Sequence, residues 1–290
     1  MSETLTRKTI RVAYSSPVAH CVRQLRVFPL SQRGAQNVLD LGWKCWPPAD
    51  EEREWSDDFG NRVLELRHNR IAREFHFEMT MRTKRDDMSA NRDENLPPTG
   101  IGAFLLPSAL CDLGAPIRDA LQKMKSDGFL RDEAEQSCEQ AAQQLCRWTH
   151  RAIEYSIGAK GLETTASQSI NRGRGVCQDY AHIMIALCRA CGIPSRYVSG
   201  YNPAEGAMHA WVETLCSVHD ARRGAGRDSE QDGKRWISFD PTHNRATRSD
   251  CVFVACGRDF RDVSPIRGSF QGRSKVQMQT WCATICANEP

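Results

Sequence analysis

Hydrophobic residues in the stretch 73–84 fall on alternate positions. Phe75, Phe77, Met79 and Met81 share one side, and Glu74, His76, Glu78, Thr80 and Arg82 the other. That period of two predicts a half-buried antiparallel strand. Leu25 and Val27 alternate in the same way before Pro29, as do Leu64 and Leu66 after the turn-like pair Gly60-Asn61. Short strands separated by polar turns predict a small β domain over 1–90. Residues 84–99 are charged and turn-rich, contain Pro97-Pro98, and read as a linker.

The period changes after residue 131. Ala134, Cys138, Ala141, Leu145, Trp148 and Ala152 recur every three or four residues, which predicts an amphipathic helix. A second helical run follows Gly175 through Val176, Tyr180, Ile183, Met184 and Leu187, and Gly192-Ile193-Pro194 ends it. Short strands are expected at 196–201, 210–215 and 235–240, and a charged, glycine-containing insertion at 218–234. The expected fold is α+β: an N-terminal antiparallel β domain, then a helical segment and catalytic core over 101–290.

Composition narrows the setting. A chain of 290 residues, 40% hydrophobic and 26% charged, is long and apolar enough to bury a sizeable core. Its net charge of +3 gives no indication of nucleic-acid binding. No apolar run follows Arg7, Lys8 and Arg11 as a secretory signal requires, and none is long enough to span a bilayer. The expectation is a cytoplasmic chain, not bound to membrane, whose 13 cysteines are mostly reduced. Cys188 with Cys191, and Cys282 with Cys286, lack a second ligand pair or a neighbouring histidine and read as packed thiols. Asp57-Asp58 and Asp86-Asp87 lack the spacing of a calcium loop and read as solvated turns. No cofactor and no metal are called for. The oligomeric state is left open.

Cys177 stands apart. Glycines at 173 and 175 turn the chain into the second helix and put this thiol in its first turn. Unpaired N–H groups and the helix field there favour a thiolate and could hold an oxyanion. His209 opens the strand HAWVE, where His209, Trp211 and Glu213 share one face. Asp240 ends WISFD before Pro241, which cannot continue a ladder. Cys177 as nucleophile, His209 as base and Asp240 as orienting carboxylate make a triad. Each also has a structural reading: a helix-start thiol, a core hydrogen-bonder and a turn cap. Asp179 and His182 read as structural, Arg196 as a cleft liner or a solvated charge, Trp211 and Trp236 as site wall or core. His243 reads as a residue of the turn after Asp240.

The segments GVCQDYAHIMIALCRACGIPSRYVSGY (175–201), HAWVE (209–213) and WISFDPTHN (236–244) resemble the transglutaminase-like superfamily, a papain-like group. YSSPVAHCVRQLRVFP (14–29) and GRDFRDVSPIRG (257–268) extend the likeness to the bacterial two-domain members. The resemblance implies the same three site residues, a β domain before a papain/transglutaminase-like core, and acyl transfer through a thioester on a peptide, isopeptide or other amide. Hydrolysis is the expected outcome. Transamidation and a non-catalytic scaffold are the alternatives. The insertion at 218–234 departs from the family pattern at the rim of the cleft.

Overall fold

The computed structural model describes residues 2–85, 99–131, 136–157, 163–205, 208–217 and 234–287. The expected insertion and most of the expected linker lie outside these residues. Strands β1 (Ser2–Tyr14), β2 (Val18–Leu25), β3 (Gln36–Trp46), β4 (Glu51–Ser56), β5 (Arg62–Ile71) and β6 (Glu74–Arg85) come first. Helices α1 (Ala115–Ser126), α2 (Cys138–Ala152), α3 (Ala166–Arg172) and α4 (Cys177–Ala190) follow. Then come β7 (Ser195–Tyr201), β8 (Met208–Ser217), β9 (Lys234–Asp240), β10 (Val252–Gly257), α5 (Phe260–Val263), β11 (Ile266–Gln271) and β12 (Val276–Ala287).

The alternation in β6 does what it predicts. Phe75, Phe77, Met79 and Met81 are buried and meet Leu25, Leu64, Leu66 and Ile71 in one core. One sheet of this sandwich runs β12-β1-β6-β3 and the other β11-β2-β5-β4. The strand pairing redraws the expected division into 1–90 and 101–290. β11 pairs with β2 and β12 pairs along all of β1, so residues 266–287 complete the N-terminal sheets. Only pairing across some 250 residues reveals this, because β12 has no strict alternation of its own.

The third sheet, β9-β8-β7-β10, carries α4 against it. Every residue from Gln178 to Arg189 in α4 is buried, so the helix lies inside the molecule rather than on its surface. Ala210, Val212 and Phe239 from the sheet join Ile183, Met184 and Leu187 in the same core. Gly200 on β7 permits the tightest approach here. A Cβ at this position would lie 2.2 Å from the Val252 carbonyl oxygen and 2.3 Å from the Trp211 ring.

Two carboxamides fasten the sandwich to β10, the edge of this sheet. Gln36 donates to the Phe253 carbonyl at 3.0 Å and accepts from the Phe253 N–H at 2.8 Å. Asn61 does the same at Cys256, at 2.7 and 2.8 Å. Asp57 is buried rather than solvated as expected: it pairs with Arg26 at 2.9 Å and caps the turn that presents Asn61. Charge placed at such a turn is stable because every lone pair finds a donor. Cys138 and Cys216 form a disulfide that ties α2 to the end of β8, and the other eleven cysteines carry free thiols. Cys138, which the spacing assigns to an apolar helix face, is therefore covalently engaged. No helix among the described residues is long and apolar enough to cross a membrane.

Two outcomes follow from this packing. Gly200→Ala should destabilise the fold by roughly 3 kcal/mol or more, because backbone cannot yield to the new methyl. Urea denaturation would show this as a lower midpoint at an unchanged slope. His182, fully buried in α4, is pushed by burial down to about 4. The folded chain therefore keeps it neutral where the unfolded chain binds a proton, and stability should fall as pH drops from about 6.5 to about 4. The loss is on the order of 3 kcal/mol. His182→Gln, which keeps an acceptor for the Phe260 N–H, should flatten that part of the stability curve.

Candidate functional site

The site begins at the N-terminus of α4. Val176 is the N-cap in extended conformation and Cys177 is the first helical residue. Asp179 makes this start rigid. Its Oδ2 accepts from the Val176 N–H at 2.9 Å and its Oδ1 from the Ser169 hydroxyl at 2.7 Å. Gly175 is required beside it, since a Cβ there would sit 2.5 Å from the Asp179 Cβ. The structural role read for Asp179 is thus what it has. Cys177 itself is half-buried. The first-turn N–H groups at such a helix start have no intrahelical carbonyl to meet.

β8 brings His209 to the thiol. Its ring is fully buried, and its Nε2 meets Asp240 Oδ2 at 3.0 Å. Asp240 comes from the end of β9 and is 2% exposed. Its Oδ1 accepts from the backbone N–H groups of Thr242 and His243 at 3.1 and 3.3 Å. The turn-cap and histidine-orienting readings of Asp240 therefore both hold, one for each oxygen. Burial by itself would raise the Asp240 pKa, but His209 and His243 overcome it and hold the carboxyl below its ordinary range. Burial likewise works against a charged His209. Asp240, Cys177 and Glu205 outweigh it and raise the imidazole to about 12.

The three residues singled out in the sequence thus converge from α4, β8 and β9. Four more join them. His243, read as a turn residue, donates from Nδ1 to Asp240 Oδ2 at 2.8 Å, and its ring centroid lies 5.4 Å from that of His209. His150 near the end of α2 holds this turn through the Thr242 carbonyl at 3.0 Å. Glu205, in the turn before β8, places Oε2 3.1 Å from His209 Nδ1. Tyr155, half-exposed, pairs with Gly175 and so stands beside Cys177; burial and then the charges of Cys177 and Glu205 raise its phenol pKa. The Asp-Pro-Thr-His spacing carried a signal for His243. Nothing in the spacing of Glu205 or Tyr155 marked them.

Other expectations are placed away from the thiol. His182 lies deep in α4 and accepts from the Phe260 N–H at 3.2 Å, the packed role assigned to it. Arg196 is neither a solvated charge nor exposed. Its Nε donates to Glu213 at 2.7 Å, and its guanidinium stacks 3.9 Å over Trp236. Trp211 and Trp236 are buried, and together with this ion pair they line a cavity of about 210 Å³ that the sandwich closes through Arg33 and Gln36. The segment 257–268 contributes α5 against α4 and then enters β11.

Comparison with known proteins places this arrangement. Residues 125–241 match the transglutaminase-like superfamily, and residues 7–84 match the bacterial transglutaminase-like N-terminal region. An uncharacterized protein of Mycobacterium leprae is 30% identical over 142 residues, 46% of this chain and 45% of that protein. A Mycobacterium tuberculosis protein, also uncharacterized, is 28% identical over 59% of this chain and 54% of its own length. The chain spans about half the length of these curated relatives. A protein-glutamine gamma-glutamyltransferase of Pseudomonas aeruginosa is 30% identical over 35% of this chain and 15% of that protein. A Cytophaga hutchinsonii crystal structure, described as that of a proposed cysteine protease, aligns over 100% of this chain and 92% of its own. Its TM-score is 0.72 at 24% identity, a likeness of fold. With its β sandwich before a core that seats a thiol, an imidazole and a carboxylate together, the chain is a transglutaminase-like protein of the bacterial two-domain kind.

Proposed function

We propose that the chain is a cysteine-dependent acyl-transfer enzyme that opens an amide bond through a thioester on Cys177 and releases the acyl group to water. The observation that carries this reading is the junction of α4, β8 and β9. It sets a thiol at a helix start beside an imidazole whose far nitrogen is held by a buried carboxylate. The coarser part, membership of a superfamily suited to cysteine-dependent amide chemistry, rests on the family match.

In this mechanism His209 takes the thiol proton, and the thiolate attacks the amide carbonyl. The tetrahedral oxyanion lies against the backbone N–H of Cys177. His209 then gives its proton to the departing amine, water attacks the thioester with His209 as base, and the acid product leaves. Asp240 keeps the ring in one tautomer and stabilises the imidazolium throughout. Tyr155 borders the same space and contributes a phenol donor at its edge. The substrate is a peptide, isopeptide or other amide.

Transamidation is the second reading. It is favoured by the relative named as a protein-glutamine gamma-glutamyltransferase. In that case an amine, rather than water, accepts the acyl group, and the residues keep the same roles.

Cys177→Ala should abolish both labelling by a thiol-directed electrophile and turnover on an amide panel. Asp240→Asn should lower the rate by about 10³–10⁴-fold, because the ring loses its fixed tautomer. Turnover retained in Cys177→Ala, or an unreactive Cys177 in the wild type, would leave the scaffold reading. Release of free acid against coupling to an added amine separates hydrolysis from transamidation. The pH profile of Cys177 alkylation gives an independent check. With His209 raised to about 12, the pair should keep its proton as pH rises through the ordinary imidazole range near 6.5. The alkylation rate should therefore show no step at that pH. Glu205→Gln removes one of the groups that hold the pKa up and should bring the basic limb lower.

A further inference from the structure

One carboxylate oxygen orients two imidazoles. Asp240 Oδ2 meets His209 Nε2 at 3.0 Å and His243 Nδ1 at 2.8 Å. In neutral rings this fixes the protons on those two nitrogens. The lone pairs are left on His209 Nδ1 and His243 Nε2, and both look toward Glu205. The first lies 3.1 Å from Glu205 Oε2 and the second 3.8 Å from Oε1. His209 Nδ1 is buried and makes no aligned hydrogen bond. These atoms need positive charge among them: a proton on the His209 ring supplies it in the metal-free chain, and a divalent cation that displaces the proton can take the same place.

The three ligand atoms lie within 4.8 Å of one another. A tetrahedral zinc ion with N and O ligands at about 2.1 Å spaces them by about 3.4 Å. The Glu205 side chain, 25% exposed, is free to turn toward the two nitrogens, and any further shortening between the rings needs a shift of the rings themselves. Two imidazoles and one carboxylate suit zinc and its first-row neighbours, whereas calcium and magnesium take oxygen sets. Histidines whose second nitrogen rests on a carboxylate have the outer-shell support that metal-binding imidazoles use.

We propose that Glu205, His209 and His243 form a binding site for Zn2+, and that the bound ion switches off Cys177 by taking the lone pair on His209 that would accept the thiol proton. The binding site stands on its own geometry. The switch rests on the Cys177–His209–Asp240 reading above. No spacing along the chain marks this set, because the ligands are spread over residues 205–243 and one of them doubles as the proposed base.

Cobalt(II) serves as the spectroscopic probe, in the Cys177→Ala protein so that the site thiol cannot ligate. One Co2+ per chain should bind with visible d–d absorption, without sulfur charge-transfer bands, and Zn2+ should displace it. Glu205→Gln and His243→Asn should each weaken binding by about tenfold or more. Unchanged affinity in both variants, or a thiolate-type spectrum, overturns the site. In the wild type, Zn2+ should slow iodoacetamide labelling of Cys177 and a chelator should restore it, while Glu205→Gln should label at the same rate with and without the same Zn2+. Labelling that ignores bound Zn2+ overturns the switch. A Cys177 that stays unreactive in chelated wild type counts against the triad and the switch together, and the cobalt result alone then decides the binding site.

Discussion

A carboxylate buried at the end of a strand must find a donor for every lone pair, and Asp240 organises its surroundings by that demand. One oxygen takes the N–H groups of Thr242 and His243, which folds the chain into a turn immediately after Pro241. The other takes His209 and His243. With four partners the charge is fully paid in hydrogen bonds, and the imidazole beside Cys177 has one orientation left to it. Remove the turn and the carboxylate loses three of its four donors; remove the carboxylate and both rings lose the acceptor that orients them.

The sandwich supports this arrangement from a distance. β10 would be an exposed sheet edge, and Gln36 and Asn61 satisfy it with side-chain amides that each return a donor and an acceptor. β10 holds β7, β7 holds β8, and β8 carries His209, so the position of the ring is traceable to two carboxamides and the buried Arg26–Asp57 pair behind one of them. The disulfide at the other end of β8 ties the same strand to α2, whose last turn holds the Thr242 carbonyl. Each end of β8 is thus anchored to a different element.

What was legible in the sequence had a short-range cause. β6 and α2 announce themselves by period, because one face of each meets core and the other does not, whereas α4 and the strand around His209 are buried on every side and announce themselves by apolar runs bounded by turn residues. Cys177, His209 and Asp240 were legible because a helix start, a strand start and a strand stopped by proline are local events. The return of β11 and β12 to the sandwich was not, since their partners lie in β2 and β1. Arg196 read as a cleft liner or a solvated charge alike, because the sequence cannot show Glu213 across the neighbouring strand or Trp236 beneath the guanidinium. Asp57 looked solvated for the same reason, with Arg26 out of view. Glu205 lies four residues from His209, yet it sits in a turn, where sequence spacing does not set direction.

Glu205 also bears on how the proposed reaction runs. An imidazole raised to about 12 holds its proton firmly, and for that reason it is a poor acid toward a leaving amine, for which a pKa close to the working pH serves best. The same contact that favours attack therefore opposes the collapse that follows. A substrate amide entering beside Cys177 has to occupy the space between the thiol, Tyr155 and the Glu205 carboxylate. Moving that carboxylate off His209 Nδ1 would lower the imidazole pKa at the step where a proton must be given up. On this view Asp240 sets the geometry of the ring and contributes most to its charge, Glu205 adds to that charge, and the two carboxylates act on opposite nitrogens of one ring.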